Sequence, residues 1–128
     1  MTVAGGRLDV VTWNVRRWKR DGWVRGLAAL HNVFQPQVIF AQERAAPASA
    51  WNSVQQNLGG YTMYGNPACP HDTAILISAT WGVEVLEKYY HRYGMALVAS
   101  DGVGAKWLLG SLHLPTGGSD THYEQVCV

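Results

Sequence analysis

Three polar side chains stand at the ends of apolar segments, and each belongs to a residue type that can do chemistry. Asn14 stands at the end of the apolar segment 8–15, and Glu43 follows the apolar segment 38–41. His113 stands near the end of segment 106–114. An amide both donates and accepts hydrogen bonds, a carboxylate is a hard ligand for Mg2+, and an imidazole moves protons near neutral pH. We expect the three segment ends to meet.

Each of these residues, considered alone, has an ordinary structural alternative. Glu43 can be a solvated acid that begins a loop, because it directly follows Gln42 at the end of its apolar segment. His113 can be a hydrogen-bonded polar residue near a strand end. Asn14 can cap a turn, which is a common role of asparagine. The residue types alone therefore leave both possibilities open, and their order along the chain has to distinguish them.

The first half of the chain has the pattern of a strand, a helix and a second strand. Residues 7–15 carry apolar side chains on both faces, which predicts a central strand covered above and below. Asp21 can cap a helix over residues 23–34, which Pro36 closes and whose buried face would hold Trp23, Leu27, Leu30 and Phe34. Residues 38–43 predict a second buried strand. Strand, helix and strand in this order favour two parallel neighbouring strands.

The second half of the chain is mostly predicted strand. Ser49 can begin a second helix over residues 49–58, and Ser119 can begin a third. Five strands are predicted between them, over residues 61–66, 72–79, 82–92, 94–100 and 106–114. Short connections at 92–94 and 101–104 favour antiparallel hairpins. The predicted class is α/β, with a mixed β-sheet and helices on one face.

Composition excludes several classes of protein. Of the 128 residues 48% are hydrophobic and 15% are charged, which predicts one ordered domain. The net charge is +1, yet the first 35 residues are basic, and Arg16 and Arg17 could guide a polyanion or simply form a solvated turn. Cys69 and Cys127 lack the spacing of a zinc site or a disulfide framework. Neither a signal peptide nor a membrane span is recognised, so we expect an intracellular protein.

Four short motifs in a fixed order resemble the endonuclease/exonuclease/phosphatase family, which has the DNase I-like fold. They are Trp-Asn-Val at 13–15, Gln-Glu at 42–43, the strand at 72–77 and His-Leu-Pro at 113–115. Tyr-Glu-Gln at 123–125 resembles the start of the helix that follows in that family. The resemblance covers nearly the whole chain, from about residue 8 to residue 125, and it implies half of a four-layer α/β sandwich.

The resemblance implies a function and a role for each residue. The family hydrolyses phosphoester bonds with Mg2+ or Mn2+, on DNA, RNA, lipids or inositol phosphates. Asn14 would orient the scissile phosphate or a metal-bound water, and Glu43 would be the metal ligand. His113 would donate a proton or stabilise the transition state. Arg16 and Arg17 would guide the substrate, where many family members have a glycine. The basic first segment favours a nuclease, with DNA preferred over RNA.

The sequence also departs from the family pattern. No Asp-x-Asn pair and no terminal Asp-His pair follow His113. We therefore expect residues 1–128 to be a single partial domain, the N-terminal portion of the fold, with little activity in isolation. An uncovered sheet face would then let the chain self-associate. The alternatives are a non-catalytic interaction module on the same half-fold, a phosphatase or sphingomyelinase-like branch, and an unrelated α/β domain in which the three residues never meet.

Overall fold

The computed structural model describes residues 8–14, 20–42, 60–67 and 73–112, and it divides seven strands between two sheets. One helix, α1, spans Arg20–Phe34, and a 3-10 turn spans Ala79–Trp81. The strands are β1 (Val10–Asn14), β2 (Val38–Gln42), β3 (Tyr61–Gly65), β4 (Ala74–Ser78), β5 (Glu84–His91), β6 (Gly94–Ser100) and β7 (Lys106–Leu112). The helices predicted at 49–58 and from Ser119 lie outside the described residues.

The first sheet has the strand order β1-β2-β4-β3 and is mixed, as predicted. β1 and β2 are adjacent and parallel, whereas β2 with β4 and β3 with β4 are antiparallel. The prediction that β1 is a central strand is wrong, because it is the edge strand of the order found here. The two faces of β1 differ in burial. Val11 and Trp13 are half-buried on one face, whereas Val10 and Thr12 are exposed on the other.

Helix α1 covers one face of this sheet. A side chain on Gly26 would collide with the indole ring of Trp13, so the helix and β1 approach closely only because residue 26 is glycine. Leu27, the next residue of α1, is fully buried. The predicted buried face is wrong at Phe34, which is 60% exposed. Phe34 lies in the last turn and lines a shallow apolar groove with Trp13 and Val33, which none of the described residues covers.

The second sheet, β5-β6-β7, is antiparallel throughout and packs on the other face of the first sheet. One buried cluster joins the two sheets, with Val38, Ile75, Ile77 and Trp81 on one side and Met95, Leu97 and Leu109 on the other. Both predicted hairpins are confirmed. The expectation that no second sheet covers the first is wrong, because an alternating pattern is the same whether the strands form one sheet or two.

Buried polar contacts fix how neighbouring elements meet. The Tyr61 hydroxyl donates to the carbonyl oxygen of Pro36 at 2.6 Å and lies 3.2 Å from His31 Nδ1, which ties β3 to the end of α1. Asn66, just after β3, is 1% exposed and donates to the carbonyl oxygens of His91 and Gly94 at 2.8 and 3.0 Å. The first sheet and the β5–β6 hairpin are therefore joined by hydrogen bonds as well as by packing.

The outer face of the second sheet is apolar and open. Leu108 and Leu112 are 74% and 73% exposed, and they flank Gly110 on β7.

Within the described ranges, no helix is long and apolar enough to cross a membrane.

Candidate functional site

A groove lies where the carboxyl ends of β1, β2 and β7 come together. Its volume is about 470 Å3. The lining residues come from β1 (Val10, Thr12, Asn14), from β2 (Phe40, Gln42) and from β7 (Gly110, Ser111, Leu112). The groove therefore crosses from the edge of the first sheet to the edge strand of the second.

Asn14 is the predicted site residue that the structure describes, and it lies in this groove. It is paired with Gln42 in the parallel register of β1 and β2, so both strands end side by side. Parallel strands carry their carboxyl ends to the same edge, which is why two residues 28 positions apart become neighbours. Asn14 shares its face of β1 with Val10 and Thr12, and all three line the groove.

Glu43, His113, Arg16 and Arg17 lie outside the described residues. Their nearest described neighbours in sequence are informative for two of them. Gln42, which precedes Glu43, and Leu112, which precedes His113, both line the groove. The last described residue before Glu43 and the last before His113 therefore both lie at the groove. The meeting of Asn14, Glu43 and His113 stays a prediction. What the structure shows is that the ends of β1, β2 and β7 lie together at the groove.

Gln42 is a polar residue of the groove that the sequence did not single out for a role of its own. Its amide nitrogen lies 3.3 Å from the Thr12 hydroxyl and 3.5 Å from the Ser111 hydroxyl, as the donor of two long hydrogen bonds. These contacts connect β1, β2 and β7 at one point. The alternation of inward and outward residues along β7 could have indicated this contact, because Ser111 is a small polar residue on the inward face of a mostly apolar strand.

The described polar side chains of the groove offer neutral hydroxyl and amide groups. Within the described ranges, no group of three or more histidine, cysteine, aspartate or glutamate residues could hold a metal ion. The described polar side chains are amides and hydroxyls, from Thr12, Asn14, Gln42 and Ser111. Mg2+ prefers oxygen, keeps several of its waters and needs one or two carboxylates. The described lining supplies no carboxylate, and Glu43, which directly follows Gln42 in sequence, would supply one.

Solved structures provide the comparison, because a scan against family models and a search of curated proteins find no match. TDP2 of D. rerio, in complex with a single-strand DNA product, has a TM-score of 0.66 at 18% identity, over 93% of this chain and 51% of that one. An endonuclease/exonuclease/phosphatase family protein of Bacteroides thetaiotaomicron has a TM-score of 0.63 at 15% identity, over 87% and 52%. The AP endonuclease LMAP of Leishmania major has a TM-score of 0.64 at 13% identity, over 94% and 44%.

These similarities establish the fold. The chain has the DNase I-like fold that the sequence resemblance implied, and the likeness extends over most of its residues. It spans about half the length of the solved structures that it matches.

Proposed function

We propose that this chain is part of a divalent-metal-dependent phosphodiesterase whose site lies at the groove between β1, β2 and β7. One observation carries the proposal. Asn14 and Gln42 are register partners at the same sheet edge, and Leu112 lies across the groove from them. Glu43, a candidate metal ligand, and His113, a candidate proton donor, directly follow Gln42 and Leu112 in sequence.

Each residue would have a separate role. The Asn14 amide would donate a hydrogen bond to a phosphoryl oxygen and so orient the phosphate. Glu43 would hold Mg2+ or Mn2+, and such an ion supplies positive charge beside the phosphoryl oxygens. His113 would give a proton to the departing oxygen or stabilise charge on the phosphate. Gln42 would act on the framework of the site, because its contacts hold the three strand ends together.

Nucleic acid is the substrate class that we propose, with DNA preferred over RNA. The support is indirect: one structural neighbour is described with a single-strand DNA product, and another is described as an AP endonuclease. Arg16 and Arg17 would contribute to attraction of the phosphate backbone, as Lys and Arg side chains do in general. A phosphatase or sphingomyelinase-like activity is the alternative within the same chemistry.

The role of Glu43 as a metal ligand is tested by titrating the 128-residue chain with Mn2+. The free ion is measured by electron paramagnetic resonance. We expect Glu43→Gln to weaken Mn2+ binding at least tenfold, because an amide keeps the shape of the carboxylate and loses its charge. Glu84→Gln is the matched control, since Glu84 is an exposed carboxylate at the start of β5. Equal Mn2+ affinity in the Glu43→Gln variant and the unchanged chain would contradict the proposal.

The reaction is tested in the longest protein that contains this chain. With Mg2+ present, we expect cleavage of single-stranded DNA, and we expect His113→Ala to lower kcat more than it raises KM. Hydrolysis of sphingomyelin or inositol phosphates in place of DNA would move the assignment to another branch. A chain that binds Mn2+ through Glu43 and hydrolyses none of these esters would support a non-catalytic module.

A further inference from the structure

The tip of the β5–β6 hairpin carries a compact group of aromatic and cationic side chains. His91 ends β5, and Arg92 and Tyr93 form the turn. The Arg92 guanidinium lies 4.9 Å from the centre of the Tyr93 ring, and the His91 and Tyr93 rings are 5.1 Å apart. The Tyr93 backbone N–H also donates to His91 Nδ1 at 3.2 Å. The contacts among these three residues restrict the shape of the turn and the place of the guanidinium.

Strand register places this tip beside the candidate site. Gly94 is the register partner of Leu112, and the strands are antiparallel. An open apolar depression of about 350 Å3 extends from His91 to Leu112, and Leu112 also lines the groove that holds Asn14. The hairpin tip is therefore beside Leu112, at the rim of the groove.

Two devices hold the tip at this place. Asn66 donates from the end of the first sheet to the carbonyl oxygens of His91 and Gly94, the residues on either side of the turn. Gly94 has no side chain where it approaches the backbone oxygen of Ser111, and any other residue would collide there. Because both contacts are buried, the turn is fixed relative to β3 and to β7.

We propose that Arg92 is a substrate-binding residue whose guanidinium contacts the phosphodiester bound in the groove. This inference rests on the proposed function. A guanidinium is always charged and matches two phosphate oxygens with two parallel N–H donors, and contact with an aromatic ring restricts its orientation. Asn66 is the positioning residue for this contact. The sequence suggested that Arg16 and Arg17 attract the substrate. Arg92 would add a positive charge for the same purpose from the second sheet.

The test measures binding of a short single-stranded DNA to the full chain without metal, by fluorescence anisotropy over a range of salt concentrations. We expect Arg92→Gln to weaken binding about tenfold, as removal of a charge-assisted hydrogen bond does. The slope of log affinity against log salt should fall by about 0.7, the value for one phosphate contact on a single strand. Arg92→Lys should keep most of the slope, because it keeps the charge.

Lys106→Gln is the matched control. Lys106 is exposed at the opposite end of β7, about 20 Å from Leu112 at ~3.3 Å per residue. Equal losses in Arg92→Gln and Lys106→Gln, with DNA binding intact in the unchanged chain, would overturn the role of Arg92 alone. An equal loss in Arg92→Lys and Arg92→Gln would overturn the charge contact as well. No DNA binding by the unchanged chain would overturn the role of Arg92 and count against the nuclease assignment; Mn2+ binding through Glu43 would still test the metal site separately.

Discussion

At the scale of single residues, Asn66 is the buried polar group with the most consequential contacts. Its amide nitrogen is within hydrogen-bonding distance of three oxygen atoms, on Thr73, His91 and Gly94. We expect Asn66→Ala to lower the free energy of unfolding by about 2–4 kcal/mol, because buried carbonyl oxygens lose their donor. Urea unfolding measures this change. Asn32→Ala, at an exposed position of α1, should change stability by less than about 0.5 kcal/mol, and an equal effect of the two would contradict the role of Asn66.

Tyr61 gives a second prediction at this scale, and it depends on pH. Burial raises the pKa of the Tyr61 hydroxyl above 10.0. The folded protein therefore keeps a proton that the unfolded chain loses above about pH 10, so stability is unaffected below that pH and falls as pH rises through the folded-state pKa. Tyr61→Phe should remove this alkaline loss. At neutral pH it should cost about 1–2 kcal/mol, because the Pro36 oxygen loses its donor.

The measurement for Tyr61 is urea unfolding at pH 7 and at several values above pH 9. Tyr90→Phe provides the control, since Tyr90 is an exposed tyrosine on β5. If the alkaline loss of stability is the same in Tyr61→Phe and in the unchanged chain, the loss comes from other groups and the prediction fails.

Of the candidate site, the sequence located one described residue, and the roles predicted for Asn14, Glu43 and His113 stay predictions. Asn14 was predicted at a strand end, and it lines the groove. Gln42 forms hydrogen bonds to residues that are 30 and 69 positions away in sequence. Asn66 forms hydrogen bonds to residues that are 25 and 28 positions away. No local pattern identifies such partners, because the same amide in a different register would be a solvated side chain. Structure was needed to find them.

At the scale of elements, the contact between α1 and β1 depends on one glycine. In a helix interior, alanine is more favourable than glycine by about 1 kcal/mol. At residue 26, however, the added carbon would collide with the Trp13 ring. We expect Gly26→Ala to lower stability by about 1–3 kcal/mol, the usual cost of overpacking. Gly110→Ala, where an added carbon meets open space, should be close to neutral. A stabilised Gly26→Ala variant would show that Trp13 moves aside at no cost.

The elements themselves were largely predictable, and their assembly was not. The seven strands and α1 follow from apolar periodicity and from turn residues, with boundaries that differ by at most three residues. The division into two sheets did not follow, because alternation gives the faces of a strand and leaves its partners unspecified. β1 was predicted to be central for the same reason. Its second apolar face meets the groove and the second sheet.

At the scale of the whole molecule, one open apolar surface of the described residues lies on the outer face of the second sheet. This differs from the surface expected from the sequence, which was the face that the second sheet in fact covers. We propose that self-association, where it occurs, uses Leu108 and its neighbours on β7. Leu108→Lys should weaken it about tenfold or more, since burial of a leucine contributes about 1.5–3 kcal/mol. Sedimentation equilibrium measures the change.

The control for this surface is Val103→Lys. Val103 is 78% exposed in the β6–β7 turn, away from the centre of the sheet face. Equal masses for the two variants at every concentration would show that association, if present, uses another surface.

The proposal that β1, β2 and β7 converge on a metal site is tested most directly by paramagnetic broadening in a nuclear magnetic resonance spectrum of the full chain. Substoichiometric Mn2+ should broaden the backbone amide signals of Asn14, Gln42 and Leu112, which lie at the groove. The amides of Gly102 and Val103, in the turn at the opposite end of the second sheet, should stay sharp. Glu43→Gln should abolish the broadening. Sharp signals at the groove, or broadening that is centred on the β6–β7 turn, would contradict the proposed site.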